Sequence, residues 1–396
     1  MELGPVPGAA RFAVSAIFFI NGLTVSNWLA RIPAAQAQLG LSEGRLGFAL
    51  LGMAVGALVA MTAVGWVVAR SGSRPVTTVS VLVLCVALPL PALASNALWL
   101  GLALVVLGAS NGALDVAMNA QGVAVERRYR RPILSSFHAA FSAGGLLGAS
   151  TGGFAAYLKI DPLPHLAGVG LLLIVPALFV SRRLLPASAD MALGERGAGV
   201  VRPSRRLVLL GAIGFCGLLG EGAVADWSAV YLDSALTTGP ALAAAGFAAF
   251  SLTMTVGRLL GDRLVQAWGP VEVTRRGGAL AGGGLGAALL VDHPIAAVIG
   301  FACVGAGLAA IVPVIFSAAG GLPSVAPGPA IAAVSVAGYT GFLVGPPLIG
   351  LTAEVVGLPV ALGVVALIVG VIVPLAANVA PGVPARKVAT GLPAAR

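Results

Sequence analysis

Charge is what this chain of 396 residues has least of. Lysine, arginine, aspartate and glutamate together make 9% of it, against 58% hydrophobic residues. A water-soluble domain carries about 25% charge, so a soluble fold is excluded and the lipid bilayer is the expected surrounding. Cysteine is scarce as well: Cys85, Cys216 and Cys303 each sit in an apolar run far from a second cysteine. That spacing offers neither a disulfide framework nor a C-x-x-C metal or redox pair. The sequence shows no H-E-x-x-H helix, no paired Asp-rich motif and no reactive cysteine. We therefore expect no metal, no resident cofactor and no catalytic residue. Long polar stretches are missing too, which leaves no room for the soluble output domain of a receptor. The net charge of +9 comes in short clusters between apolar runs, not as a basic stripe, so nucleic acid is not an expected partner. A cleavable leader is not expected either, because the first apolar run continues past Phe18 and Phe19 to about Ala30 with no small-residue cleavage pattern.

What the chain does have is apolar runs long enough to cross about 30 Å of hydrocarbon at 1.5 Å per residue. They lie near 12–30, 45–69, 76–95, 98–123, 133–157, 164–181, 207–232, 240–261, 276–291, 295–319, 330–353 and 359–378. The expected fold is an all-α polytopic membrane protein of twelve transmembrane helices. A polar, Arg-, Ala- and Gly-rich stretch at 182–206 reads as a linker, dividing the chain into a six-helix bundle at 1–181 and a second at 207–396 with a short tail. Alternating the runs across a membrane leaves only Arg31, Arg45 and Lys159, of 23 lysines and arginines, on the side away from the N-terminus. Basic residues stay cytoplasmic, so both termini and the linker are expected inside.

The two parts resemble each other at an offset of about 197 to 199 residues: Asn27-Trp28 falls on Asp226-Trp227, and Gly144, Gly148 and Gly153 fall on Gly341, Gly345 and Gly350. Parallel six-helix repeats are one way to build a transporter with its site between the repeats. Glycines at such spacing let helices approach closely.

Polar side chains gather in a few runs. Asn21, Asn27 and Trp28 (first), Asn111, Asp115, Asn119 and Gln121 (fourth), His138 (fifth), and Glu221, Asp226 and Trp227 (seventh) are candidates to line a water-filled cavity, while runs 3, 6, 9 and 12, which carry no charge apart from Arg276 at the very start of run 9, are expected to face lipid. Asn111, Asp115 and Asn119 recur every four residues, which places them along one side of a helix. Intramembrane carboxylates are costly and mark functional sites. Asp115, Glu221, Asp226 and His138 are therefore the candidates for binding a proton or a substrate.

Gly65-Trp-Val-Val-Ala-Arg70-Ser-Gly72-Ser-Arg74, after the second run, resembles the G-x-x-x-D-R-x-G-R-R signature of the major facilitator superfamily, with Ala69 where its Asp stands. Arg258-Leu-Leu-Gly-Asp262-Arg263 is a similar stretch after the eighth run, and Gly341-Phe-Leu-Val-Gly345-Pro346-Pro347 resembles the family's helix-bending pattern. The resemblance implies that Arg70, Gly72, Arg74, Arg258, Asp262 and Arg263 form a conformational latch. Asn27-Trp28 with Arg31-Ile-Pro33, Asp115-Val-Ala-Met-Asn119, Ser135-Ser-Phe-His138 and Glu221-Gly-Ala-Val-Ala-Asp226-Trp227 look like the rhizopine-transport-type and fucose-permease-related inner-membrane group. That likeness implies solute transport across the bacterial cytoplasmic membrane but does not deliver a substrate; the expectation is a monomer that moves a small polar solute, sugar-, polyol- or inositol-like, by alternating access. The intramembrane carboxylates, Asp115 and Glu221 first and Asp226 third, make protons the expected coupling ion; proton-driven efflux and uncoupled facilitation are the alternatives.

Overall fold

A computed structural model describes residues 7–41, 43–191, 204–238, 240–323 and 325–380. Its long helices occupy the positions expected of the apolar runs: α1 Gly8–Leu29, α2 Glu43–Ser71, α3 Ser73–Leu93, α4 Ala97–Tyr129, α5 Leu134–Tyr157 and α6 Pro162–Ser181. They continue with α7 Arg205–Val230, α8 Pro240–Trp268, α9 Pro270–Val291, α10 Pro294–Gly320, α11 Pro327–Val356 and α12 Leu358–Val379. Three of these are interrupted: α3 ends in a 3-10 turn at Leu90–Leu93, α10 breaks between Leu308 and Ile311, and α12 breaks after Gly370. Among the described residues nine of the stretches are long and apolar enough to cross a membrane. Residues 192–203 of the expected linker and the tail from 381 lie outside the described residues.

Local chemistry sets several helix ends. Asn96 accepts the backbone N–H of Trp99 at 3.1 Å and Ser204 that of Leu207 at 3.2 Å, so α4 and α7 start on side-chain caps. Two helices run further than the apolar pattern suggests. α4 continues through Arg127 and Arg128 to Tyr129, and α8 continues to Trp268, which puts Asp262 and Arg263 on a helix instead of in a loop.

The internal repeat is visible in backbone geometry. A single residue separates α2 from α3 and α8 from α9: Gly72 (φ 75) in the first pair and Gly269 (φ 79) in the second, 197 positions apart. That left-handed conformation favours glycine. The same offset relates Gly144 of α5 to Gly341 of α11. A Cβ on Gly144 would stand 2.1 Å from the carbonyl oxygen of Phe19 and one on Gly341 2.5 Å from that of Phe215, so α5 lies directly on α1 as α11 lies on α7. Gly148 packs on α1 in the same way, a Cβ there standing 2.4 Å from the Leu23 carbonyl oxygen, but the remaining glycines of the pattern behave differently: Gly153 has nothing within 4 Å, and Gly345 and Gly350 have nothing closer than 3.6 Å. The helices before and after the linker meet chiefly where α2 packs on α11 and α5 on α8.

Candidate functional site

Between those contacts lies a cavity of about 610 Å³, lined from α1, α2, α4 and α5 on one side and from α7, α8, α10 and α11 on the other. Among the described residues α3, α6, α9 and α12 contribute nothing to its wall. It reaches Leu29 and Asp226, near the ends of α1 and α7 that lie away from the arginine cluster, and both side chains are exposed. Its deep end is aromatic. The His138 ring stands edge-on to Phe18 at 5.2 Å between centroids and stacks on Phe316 at 6.1 Å.

Asp115 lines this cavity and is held by hydrogen bonds from both halves. Ser335 Oγ of α11 donates to Asp115 Oδ2 at 3.3 Å. Asn119 Nδ2 donates to the Asp115 carbonyl at 2.9 Å and to Oδ1 at 3.2 Å. His138 Nε2 lies 3.3 Å from Asn119 Oδ1. Four side chains from α11, α4 and α5 thus form one continuous hydrogen-bonded chain.

A second polar group stands opposite. Arg258 of α8 donates from Nη1 to Ser142 Oγ of α5 at 2.8 Å, while its Nη2 lies 3.8 Å from Glu221 Oε1 of α7. Glu221 therefore has a cation as partner, whereas Asp115 forms no ion pair among the described residues. Asp226, at the mouth, is exposed.

The arginine-bearing end is sealed. Asp262 accepts the backbone N–H of Ser135 at 2.8 Å and of Ser136 at 3.0 Å. Glu126 accepts those of Ile133 and Leu134, both at 2.9 Å, and also the Ser317 hydroxyl. The N–H groups at a helix start have no partner within the helix; here two carboxylates, one from each half, take four of them at the start of α5. Arg127 adds a hydrogen bond to the Gly320 carbonyl. Below this seal a further cavity, of about 570 Å³, opens beside Arg130 and Arg131.

Several sequence expectations need correction. Of the residues read as cavity-lining, Asn21 and Asn111 are in the wall, but Asn27, Trp28, Asn119, Gln121 and Trp227 are not. Asn27 joins α1 to α5 by accepting from Thr151 at 3.2 Å. Trp28 is 1% exposed, packed inside the protein instead of lining the cavity. Gln121 exchanges two hydrogen bonds with the backbone of Leu185, at 3.1 and 3.2 Å, and so pins the segment after α6. Trp227 packs near Gly350 of α11.

The latch also divides differently. Arg258 lies in the cavity wall, one helical turn deeper than Asp262. Asp262 lies seven residues before Gly269, as Gly65 lies seven before Gly72, so it occupies the register of Gly65 and not that of Ala69. The two positions play matching parts: Gly65 abuts Gly328, Pro329 and Ala332 at the start of α11, and Asp262 caps the start of α5. Arg70 stacks on Trp66 at 3.7 Å and Arg74 donates to the Arg182 carbonyl at 3.1 Å, both within the first half. Arg263 is exposed. Sequence reasoning missed Glu126, Ser142, Phe316, Ser335 and Tyr339; of these only Glu126, an acid beside an arginine cluster and just ahead of a helix start, left a signal.

Three kinds of likeness bear on this arrangement. The family profile described as Major Facilitator Superfamily matches residues 14–324. An uncharacterized MFS-type transporter of Yersinia pestis is 37% identical over 89% of this chain and 91% of its own length, and the membrane protein MosC of Rhizobium meliloti is 36% identical over 91% and 88%. In fold, the chain is similar to the Escherichia coli fucose:proton symporter FucP, with a TM-score of 0.71 at 14% identity over 95% of this chain and 100% of that one. It is likewise similar to the proton:xylose symporter XylE, with a TM-score of 0.71 at 13% identity over 93% and 95%.

Proposed function

This chain belongs to the major facilitator superfamily and is a multi-pass membrane transporter, not an enzyme, and we propose that it carries a small hydroxylated solute together with a proton, with Asp115 as the proton-binding group. The observation behind this reading is the contrast among the three carboxylates of the cavity. Glu221 has Arg258 beside it and Asp226 stands in the open mouth. Asp115 alone is held by neutral donors in a cavity wall contributed by both halves. With no cation beside it among the described residues and a cavity wall shared between the halves, Asp115 can be loaded with a proton from one side and emptied to the other.

The solute class rests on the mixture in the wall. Phe18, Phe141, Phe316 and Phe342 offer ring faces, and Asn21, Asn111 and Tyr339 offer hydrogen-bonding groups, a combination suited to the apolar and hydroxyl faces of a sugar or polyol. Two proteins of the same fold are, by name, sugar:proton symporters, which makes sugars, polyols and inositol derivatives the first solutes to try. In this reading the bundles 1–181 and 207–396 rock about the cavity in a bacterial cytoplasmic membrane, with both termini inside and the protein acting as a monomer. The sealed arginine end is then cytoplasmic and the described state faces outward. Solute-induced thermal stabilisation of purified protein over that panel is the test: stabilisation by a hydroxylated solute that Asp115→Asn and Asn111→Leu weaken supports the reading, and stabilisation only by solutes without hydroxyls removes it.

A further inference from the structure

Asn119 lies outside the cavity wall, is 0% exposed, and touches both polar groups that matter there. Its amide can be oriented from its partners. The end facing Asp115 meets two acceptors, a backbone carbonyl at 2.9 Å and a carboxylate oxygen at 3.2 Å, so that end is the NH₂ group. The other end is then the carbonyl oxygen, which can only accept. His138 Nε2, 3.3 Å away, must therefore carry a hydrogen, and in a neutral imidazole Nδ1 is left as an acceptor. His138 forms part of the cavity wall while Asn119 lies behind it, and Nδ1 makes no hydrogen bond among the described residues.

We propose that Asn119 is a positioning residue that ties Asp115 and His138 into one unit and fixes His138 as the Nε2–H tautomer, so that Nδ1 takes a hydroxyl of the solute beside the proton site. The proposal rests on the reading of Asp115 as the proton-binding group, though its tautomer part does not. The unit feels few other charges. Around it α7 brings Glu221 and, at the mouth, Asp226, α8 brings Arg258 and α11 brings Ser335 and Tyr339, with Arg258 engaged by Ser142 and Glu221. Fixing both groups through one amide has a consequence: a change at Asn119 alters the proton site and the solute site together, although it reaches neither the solute nor the water in the cavity.

The chain has three histidines, His138, His165 and His293, so nitrogen-15 spectra of the imidazoles of the whole protein, assigned with His165→Gln and His293→Gln, read the tautomer directly. The expected wild-type signature for His138 is Nε2–H; an Nδ1–H tautomer or an imidazolium at pH 7 overturns the proposal whether or not transport is proton-coupled. Asn119→Leu, close in size, is expected to mix the tautomers, raise the KM for solute exchange several-fold, and move the pH midpoint of uptake by about one unit, the size of one lost charge-assisted hydrogen bond. A folded Asn119→Leu with the wild-type midpoint and KM contradicts it. If that variant does not fold, Asn119→Asp serves: it keeps the size, loses the NH₂ donor, and is expected to shift the same midpoint. Wild-type uptake indifferent to a pH gradient would instead sink the proton-coupling reading and leave the spectroscopic result standing.

Discussion

Asp262 of α8 caps the first turn of α5 by accepting the backbone N–H of Ser135 at 2.8 Å, so one carboxylate of the second half holds a helix start of the first. It shares that helix start with Glu126, which belongs to the same half as α5. When the halves separate at this end, Glu126 can stay in place and Asp262 cannot.

Removing the mobile half of this cap should therefore favour opening at the arginine end. A hydrogen bond to a charged group contributes about 1.5–3 kcal/mol, so Asp262→Ala should shift the balance of states by roughly tenfold or more. On a background without the three cysteines, a cysteine at Met118, which lines the cavity, is expected to react faster with a charged thiol reagent applied from the arginine side. Unchanged reactivity would mean that the cap does not hold the gate. Glu126→Gln should also lower thermal stability, because besides the Ser317 contact across the halves it weakens the bonds from Ile133 and Leu134, which both states keep.

Close packing of α5 on α1 gives a paired prediction. Gly144→Ala forces a Cβ to within 2.1 Å of the Phe19 carbonyl oxygen, which the helices can relieve only by moving apart, at a cost of about 1–3 kcal/mol or more. Gly153→Ala on the same helix meets nothing within 4 Å and should leave the melting temperature of purified protein unchanged. Equal losses from both substitutions would argue against the α1–α5 contact.

Cysteine scanning separates the wall from what lies behind it. A cysteine at Asn111 should label readily with a water-soluble reagent. One at Asn119 should label slowly, since that position is 0% exposed, and one at Leu172, 74% exposed on α6, should not label because its exposed face meets lipid. Fast labelling at Leu172 would remove the assignment of α6 to the lipid face.

The sequence made the helices legible because an apolar run of about twenty residues has few other uses. It also revealed which runs are polar, since a polar group in hydrocarbon is retained only for a purpose. The direction of each group was harder to read. At 3.6 residues per turn a series spaced by four drifts by about 40° per step, so Asn111 and Asp115 face the cavity while Asn119, two steps on, has turned toward α5. Arg258 was grouped with Asp262 because they are neighbours in sequence. One turn of helix separates the cavity from the seal, and a charge pattern alone does not show which side of that turn a side chain serves. Ser317 and Ser335 act through partners far away in the chain, and no local pattern marks such contacts.

Orientation can be checked apart from transport. Reporter fusions at Gly194 and Pro381, both outside the described residues, should show cytoplasmic phenotypes, as the placement of Arg31, Arg45 and Lys159 alone on the far side requires. A periplasmic signal at either site would reverse the assignment of the sealed end to the cytoplasm.

The most direct test of Asp115 as the proton-binding group is solute accumulation in proteoliposomes under an imposed pH gradient, compared with solute exchange at equal pH. Wild-type protein is expected to concentrate solute uphill, and Asp115→Asn to lose that accumulation while still exchanging solute. Accumulation by Asp115→Asn that still follows the pH gradient would contradict the account.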